Sequence, residues 1–120
     1  MKQRDFGWLA EVPPPVSVSA ELLAHCHTAH DAILLTWNSR KVKCSQNSAA
    51  ERLEMPASHL SNILSGSKYL PDDLRVPFMW LCGNLALRQY EDRQMAELGL
   101  DLKRIKLEQE LAEVIARRAA

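Results

Sequence analysis

Apolar side chains recur at helical spacing along most of the chain. One stripe has intervals of four, three, four and four residues, the spacing of a single helix face, and comprises Leu22, Cys26, Ala29, Ile33 and Trp37. Ser17 and Ser19 are both good N-caps, and Glu21 lies in the first turn that would follow. We therefore predict one helix from about Ser17 or Ser19 to Asn38.

The middle of the chain predicts two further short helices. Ser45 can cap a helix from Gln46 to about Glu54, whose inner face is apolar. Another begins at Pro56, turns its aliphatic side chains inward, and stops at residues 65–67, which read Ser-Gly-Ser. The inward positions of the two helices are Ala49, Ala50, Leu53, Leu60, Ile63 and Leu64.

The C-terminal half predicts more helix, divided by glycine and proline. Residues 71–73 begin a fourth element, Pro77 begins or kinks the apolar segment 78–82, and residues 83–84 break it. A helix follows over 85–98, Gly99 interrupts it, and Asp101 caps a last helix that runs to the C-terminus. We interpret the aromatic side chains of this half, Trp80 among them, as core positions in preference to a stacking platform for single-stranded nucleic acid.

Composition and length agree with an all-α fold. Glycine is scarce in the 120 residues, and the residues that favour helix are abundant. We predict a compact bundle of four to five short helices plus a C-terminal helix. The expected organisation is an N-terminal arm over 1–16, a helical domain over 17–98, and a C-terminal helix over 99–120. Three consecutive prolines disfavour helix in the arm, where Phe6 and Trp8 pack either on the body or on a partner.

Residues 45–66 carry the most specific pattern. Two short helices that cross steeply at a tight turn need a small residue in the first helix and apolar residues between the helices. Ala50 is the small residue, and Leu53, Met55, Leu60 and Ile63 lie at +3, +5, +10 and +13 from it. The opposite face of the second helix is small or polar, as entry into a DNA major groove requires.

This segment resembles the helix-turn-helix of the phage-repressor/Cro family, also called the xenobiotic-response-element family. The resemblance rests on Gln46, Ala50, the aliphatic positions above, and the run Leu-Ser-Asn-Ile-Leu-Ser-Gly over 60–66 followed by Lys68. Two positions depart from the family pattern. Glu54 occupies the turn position where the family has glycine, at a cost of about 1 kcal/mol for a positive φ. Pro56 replaces the usual Ser or Thr cap and suits the first helical position.

The resemblance implies a DNA-binding surface with assigned roles. Base edges would be read by the outer face of the second helix, where an Asn can pair with adenine and an Ala can touch a thymine methyl: Ala57, Ser58, Ser61 and Asn62. Phosphates would be bound by the helix N-terminus and its basic flank: Arg40, Lys41, Lys43, Ser45, Gln46, Ser65 and Lys68. The net charge of the chain is zero, but residues 39–75 carry more basic than acidic side chains.

The last helix predicts self-association. Leu100, Leu107, Leu111 and Val114 follow one another at intervals of seven, four and three, like a coiled-coil seam, with charged residues beside them. Repressor-type readers bind as two-fold dimers, so we favour a homodimer through this helix. The alternative is that the helix docks on its own domain.

Other candidate chemistry is weak. His25, Cys26, His27 and His30 have metal-ligand side chains, but zinc needs four ligands and no second pair lies nearby. We therefore expect neither a metal nor a cofactor. No phosphate-binding glycine loop, nucleophile elbow or credible carboxylate pair is present, so we do not expect an enzyme.

The sequence thus predicts a transcriptional regulator that binds double-stranded DNA, most simply a repressor of phage or bacterial type. No apolar run is long enough to span a bilayer and no signal-peptide core follows the N-terminus, so we expect a cytoplasmic protein. The alternative is a protein-interaction module, such as an antitoxin or phage adaptor, that grips a protein partner through the N-terminal arm or the C-terminal helix.

Overall fold

A computed structural model describes residues 6–119, and over these residues the fold is all-α. Two 3-10 helices (Gly7–Glu11 and Asp72–Leu74) accompany six α-helices: α1 Ala20–Ala24, α2 Ala29–Asn38, α3 Gln46–Arg52, α4 Ala57–Ser65, α5 Arg75–Cys82 and α6 Ala86–Ala119. The described part contains no β-strand, only an isolated parallel bridge between Val16 and Asn84. The predicted fold class is confirmed. The chain divides after Tyr90 into two compact units.

The predicted continuous helix over 17–38 is wrong, because the chain breaks between α1 and α2. Thr28 begins α2 as its N-cap, and its hydroxyl accepts from the Asp31 N–H at 3.1 Å. The Asp31 carboxylate accepts in return from the backbone N–H groups of His27, at 2.9 Å, and Thr28, at 3.1 Å. The His27 hydrogen bond is the main cause that lowers the pKa of Asp31. This capping box starts a new helix where the apolar stripe alone predicted continuity.

A buried polar network joins the end of α2 to the start of α6. The Asn84 side-chain amide donates to the carbonyls of Thr36 at 2.9 Å and Ser39 at 3.2 Å, and its oxygen accepts from the Ala86 N–H at 3.2 Å. The Thr36 hydroxyl accepts from the Leu87 N–H at 3.1 Å. Asn84 and Thr36 are both fully buried. These bonds satisfy carbonyl groups that the helix end leaves without helical partners.

The N-terminal arm packs on the first unit. Phe6 and Trp8 are partly buried against its core. Their rings pack edge to face, with 6.2 Å between the ring centres. The Trp8 indole donates to the Arg52 carbonyl at 3.1 Å. Farther along, Val16 donates to Gly83 at 3.1 Å and accepts from Leu85 at 2.9 Å. The sequence left open whether the arm packs on the body or on a partner, and in the structure it packs on the body.

Around α5 the structure places a proline and a glycine where each is tolerated. Pro77 lies in the first turn of α5, where the missing N–H has no helical acceptor to lose. Gly83 ends the helix in the left-handed region at φ 77°. Phe78 is fully buried and Tyr90 is 6% exposed, as core residues should be, whereas Trp80 is only half-buried.

The predicted interruption at Gly99 is wrong, since α6 is one continuous helix of 34 residues that includes Gly99. Glycine costs a helix about 1 kcal/mol relative to alanine, and its neighbours are strong helix formers. Two i,i+3 and i,i+4 ion pairs lie shortly after it, where Arg104 contacts Asp101 and Glu108, each at 3.9 Å. In the second unit almost every side chain over 91–119 is exposed or half-buried, apolar ones included.

Candidate nucleic-acid interface

The wedge between α3 and α4 is filled as the sequence predicts. Ala50 and the four residues at the predicted offsets from it are each less than a tenth exposed: Leu53, Met55, Leu60 and Ile63. Leu53 and Leu60 are fully buried, and the small side chain of Ala50 lets the helices approach each other. We call these two helices and their turn the α3–α4 pair.

The turn of the α3–α4 pair places a glutamate in the left-handed region. Glu54 has φ 55°, and it is the one described residue other than glycine with a positive φ. Its N–H donates to the Glu51 carbonyl at 3.1 Å, and the Met55 N–H donates to the Ala50 carbonyl at 3.0 Å. These two bonds form a Schellman motif, which ends α3 and sets the direction of the chain into α4.

Two predicted phosphate ligands mark the start of α3. The Ser45 hydroxyl accepts from the Ser48 N–H at 3.1 Å, so it caps the helix. Gln46 is the first residue of α3, and its side chain is exposed. α4 begins at Ala57, one residue later than predicted, so Pro56 is its N-cap and offers no side-chain acceptor to the first turn.

The outer face of α4 is exposed, small and polar. Ala57, Ser58 and Ser61 are exposed, and Asn62 is half-buried. Among residues 6–119 the Asn62 side-chain amide has no hydrogen-bond partner. His59 is also exposed on this helix. The sequence pattern gives no signal for His59, because neither the wedge nor the family pattern uses that position. The four base-reading candidates therefore lie together on one short helix.

The end of α4 is held by a residue from α2. The His30 ring nitrogen Nε2 lies 2.8 Å from the Leu64 carbonyl oxygen, and Gly66 follows with φ 89°. Ser65 donates its hydroxyl to the Asn62 carbonyl at 3.1 Å, so part of its bonding capacity is used within α4. His30 thus helps to fix the end of α4.

The loop after α4 presents two exposed side chains. Lys68 makes no ion pair among the described residues, and the neighbouring Tyr69 is 95% exposed. The sequence predicts a role for Lys68 but not for Tyr69, because a tyrosine after Gly-Ser-Lys gives no signal of its exposure. Tyr69 carries a phenolic hydroxyl that can bond a phosphate or sugar.

The basic flank before α3 divides into one immobilised and two exposed side chains. The Arg40 guanidinium lies 3.7 Å from the Trp37 ring centre and donates through Nη1 to the Trp37 carbonyl at 2.8 Å. Its Nε is buried without a partner in the described part of the chain. Lys41 and Lys43 are exposed and unpaired there. The lysines are therefore better placed than Arg40 to bind an anion.

The remaining sequence candidates do not converge on a metal site. Cys26 is buried, while His25 and His27 are exposed in the break before α2. Over residues 6–119 no three His, Cys, Asp or Glu side chains are grouped so as to hold a metal ion.

The predicted dimerisation residues are exposed in the second unit. Leu100, Leu107 and Leu111 are 60–66% exposed and Val114 is 41% exposed. These four side chains form an exposed apolar row. Because burial of apolar surface is favourable, the row is suited to pack against another surface. Within the described residues no helix has the length and hydropathy needed to cross a membrane. Comparison of the chain with protein-family models, curated proteins and solved structures finds no match.

Proposed function

We propose that this protein binds double-stranded DNA sequence-specifically and regulates transcription, with α4 as the helix that enters the major groove. The observation that carries the proposal is the two-sided character of α4. Its inner side chains, such as Leu60, are buried in the wedge, while its outer face is small, polar and exposed. A helix with large outer side chains would not approach base edges as closely.

The chemistry of the outer face supports the proposed base-reading roles. The unpaired Asn62 amide can donate to and accept from one adenine, and Ala57 can contact a thymine methyl. Ser58 and Ser61 add hydroxyl groups that bond a base or a phosphate. No arginine lies on this face, so we expect A·T-rich positions to dominate the recognised sequence.

Affinity would come from the cations at both ends of the α3–α4 pair. Lys41 and Lys43 precede α3, and Lys68 follows α4. Gln46 at the N-terminus of α3 adds a polar contact where the helix dipole favours a phosphate. Each lysine that neutralises a phosphate adds about one unit to the salt dependence of binding.

We further propose that the protein acts as a homodimer through the exposed apolar row of the second unit. Two-fold symmetry would present two copies of α4 to two half-sites about one helical turn of DNA apart. Occupancy of such a site blocks or recruits polymerase.

Selection of genomic fragments by the purified protein at two salt concentrations tests the proposal. We expect enrichment of a short inverted repeat and affinity that falls steeply as salt rises. Asn62→Ala should change the preferred sequence, whereas Lys43→Ala should weaken all sequences alike and reduce the salt slope by about one. Lys103→Ala, which removes an exposed lysine from α6, is the matched charge control. Recovery of no motif would refute the proposal.

The second candidate function is a protein-interaction module of the antitoxin or adaptor type. The exposed apolar row and the zero net charge favour it. Under this alternative the fragment selection recovers nothing, and Leu107→Glu abolishes capture of a protein partner.

A further inference from the structure

The first unit contains a cavity of about 380 Å³, and two of its lining residues, Lys41 and Lys43, also belong to the proposed DNA-binding surface. Four segments meet around it: the N-terminal arm, the linker before α3, α3 itself, and α5. Sites for small molecules in proteins usually have volumes of roughly 300–1,000 Å³. The cavity is therefore large enough for a compact organic molecule.

The walls of the cavity are mostly apolar. Val12, Pro13, Val16, Trp80 and Leu81 contribute side chains from the arm and from α5. Trp80 is half-buried although most of its apolar neighbours on α5 are buried, because one side of it lines this space. A flat or branched apolar group would recover the burial that these side chains lack.

All charged residues of the lining are cationic. Lys41 and Lys43 come from the linker and Arg52 comes from α3, and no carboxylate lines the cavity. Neither lysine has an ion-pair partner among the described residues. The Lys41 stem passes close to Gly83, since a Cβ on that glycine would lie 2.8 Å from Lys41 Cγ. Like charges around one space repel each other, so an anion there is favoured.

Hydrogen bonds to backbone groups hold the walls of the cavity in place. The Trp8 indole ties the arm to the end of α3 through the Arg52 carbonyl, and Val16 is bonded on both sides to residues 83 and 85. The Lys41 N–H donates to the Cys82 carbonyl at 2.9 Å, which anchors the linker to α5. A preformed site loses little entropy when a ligand binds.

We propose that this cavity is a binding site for a small apolar carboxylic acid. The apolar body lies against Trp80 and the prolines, and the carboxylate is directed to Lys41 and Lys43. A neutral or cationic molecule of the same shape does not neutralise the positive charges of the two lysines. The proposal rests on the geometry of the cavity and not on DNA binding. The cavity shares Lys41 and Lys43 with the proposed DNA-binding surface, and Ser48 and Arg52 place α3 in contact with it.

Calorimetric titration of the full chain with three matched probes tests the proposal: 2-naphthoate, 2-naphthylmethanol and 2-naphthylmethylamine. We expect one naphthoate per chain, bound at least tenfold more tightly than the alcohol, with the amine weakest. The double substitution Lys41→Gln and Lys43→Gln should remove the preference for the acid and keep alcohol binding. The matched control, Lys103→Gln with Lys106→Gln on α6, should keep the preference.

Two further measurements locate the bound probe. Ser48→Phe adds a ring to the lining and should abolish binding of the acid and the alcohol. Cys44 also lines the cavity and is half-exposed, whereas Cys26 and Cys82 are buried. Naphthoate should therefore slow alkylation of Cys44 in the unsubstituted protein in proportion to occupancy.

Equal affinity for acid and amine, or a preference for the acid that survives the double lysine substitution, would overturn the proposal. Absence of saturable binding by all three probes would do the same. So would binding that leaves Cys44 alkylation unchanged, because that places the probe on the exposed apolar side chains of α6. None of these measurements involves DNA, so failure here is distinct from failure of the proposed function.

Discussion

Substitution of the turn glutamate, Glu54→Gly, should stabilise the first unit. Glu54 has φ 55°, a conformation in which the Cβ atom of an L-residue approaches the neighbouring carbonyl oxygen. That approach costs roughly 1–2 kcal/mol per residue and is absent in glycine. The hydrogen bonds of the turn come from backbone atoms, so the substitution leaves them in place.

The expected gain is smaller than the strain it relieves. Glycine loses about 0.5–1 kcal/mol more than other residues in backbone entropy on folding. The net stabilisation is therefore about 0.5–1 kcal/mol. For a unit of this size it should raise Tm by roughly 2–6 °C. Glu51→Gly provides the matched control, because Glu51 is an exposed residue within α3. The same chemical change there should destabilise by about 1 kcal/mol.

Tryptophan fluorescence during thermal and urea unfolding measures the effect. All three tryptophans, Trp8, Trp37 and Trp80, lie before Tyr90, so the signal reports on the first unit. Glu54→Ala separates strain from loss of the side chain, since alanine keeps the Cβ atom and should give no gain. A fall in Tm for Glu54→Gly, or equal shifts for Glu54→Gly and Glu54→Ala, would refute the reasoning.

Three other substitutions and one modification extend these tests. Gly99→Ala should increase the helicity of the chain by circular dichroism and stabilise α6 by about 1 kcal/mol, because an added Cβ meets no atom within 4 Å. Asn84→Leu should cost about 2–4 kcal/mol in urea unfolding, since it leaves one buried and one partly buried carbonyl without a hydrogen bond; a neutral result would contradict the network. Burial raises the pKa of Cys82 from 9.0 to about 12, so Cys82 should resist alkylation at pH 8 while Cys44 reacts. The free energy of unfolding should also fall as the pH rises above 9.0, because the Cys82 thiol of the unfolded chain loses its proton before that of the folded chain. Leu107→Glu should convert the proposed dimer to a monomer in sedimentation, and an unchanged mass would exclude this seam.

The α3–α4 pair could be predicted because its signals are local. A serine cap, an alanine in the middle of α3, and a glycine after α4 each act within a few residues of their own position. The apolar offsets from Ala50 describe contacts between two helices that adjoin in sequence. Even the departure at Glu54 could be predicted, since the position of a turn in a known pattern fixes the φ that it needs.

Other features could not be predicted, because they depend on contacts between distant segments or on competing local signals. The stripe from Leu22 to Trp37 favoured one helix, and the Thr28–Asp31 capping box outweighed it. The bond of His30 to the Leu64 carbonyl joins residues 34 apart in sequence. The cavity needs four separate segments, and nothing in the local pattern of any one of them indicates the others.

The chemistry of α4 has a consequence for the proposed assembly. One bidentate contact, such as Asn62 to adenine, discriminates against a wrong base by about 1–3 kcal/mol. Specific binding generally exceeds non-specific binding by about 4–10 kcal/mol. With no arginine on the reading face, one copy of α4 falls short of that range, whereas two copies on paired half-sites reach its lower part. If α4 reads DNA chiefly through Asn62, a second chain therefore brings the discrimination into the specific range, and the exposed row that includes Leu107 is a surface suited to pair the two chains.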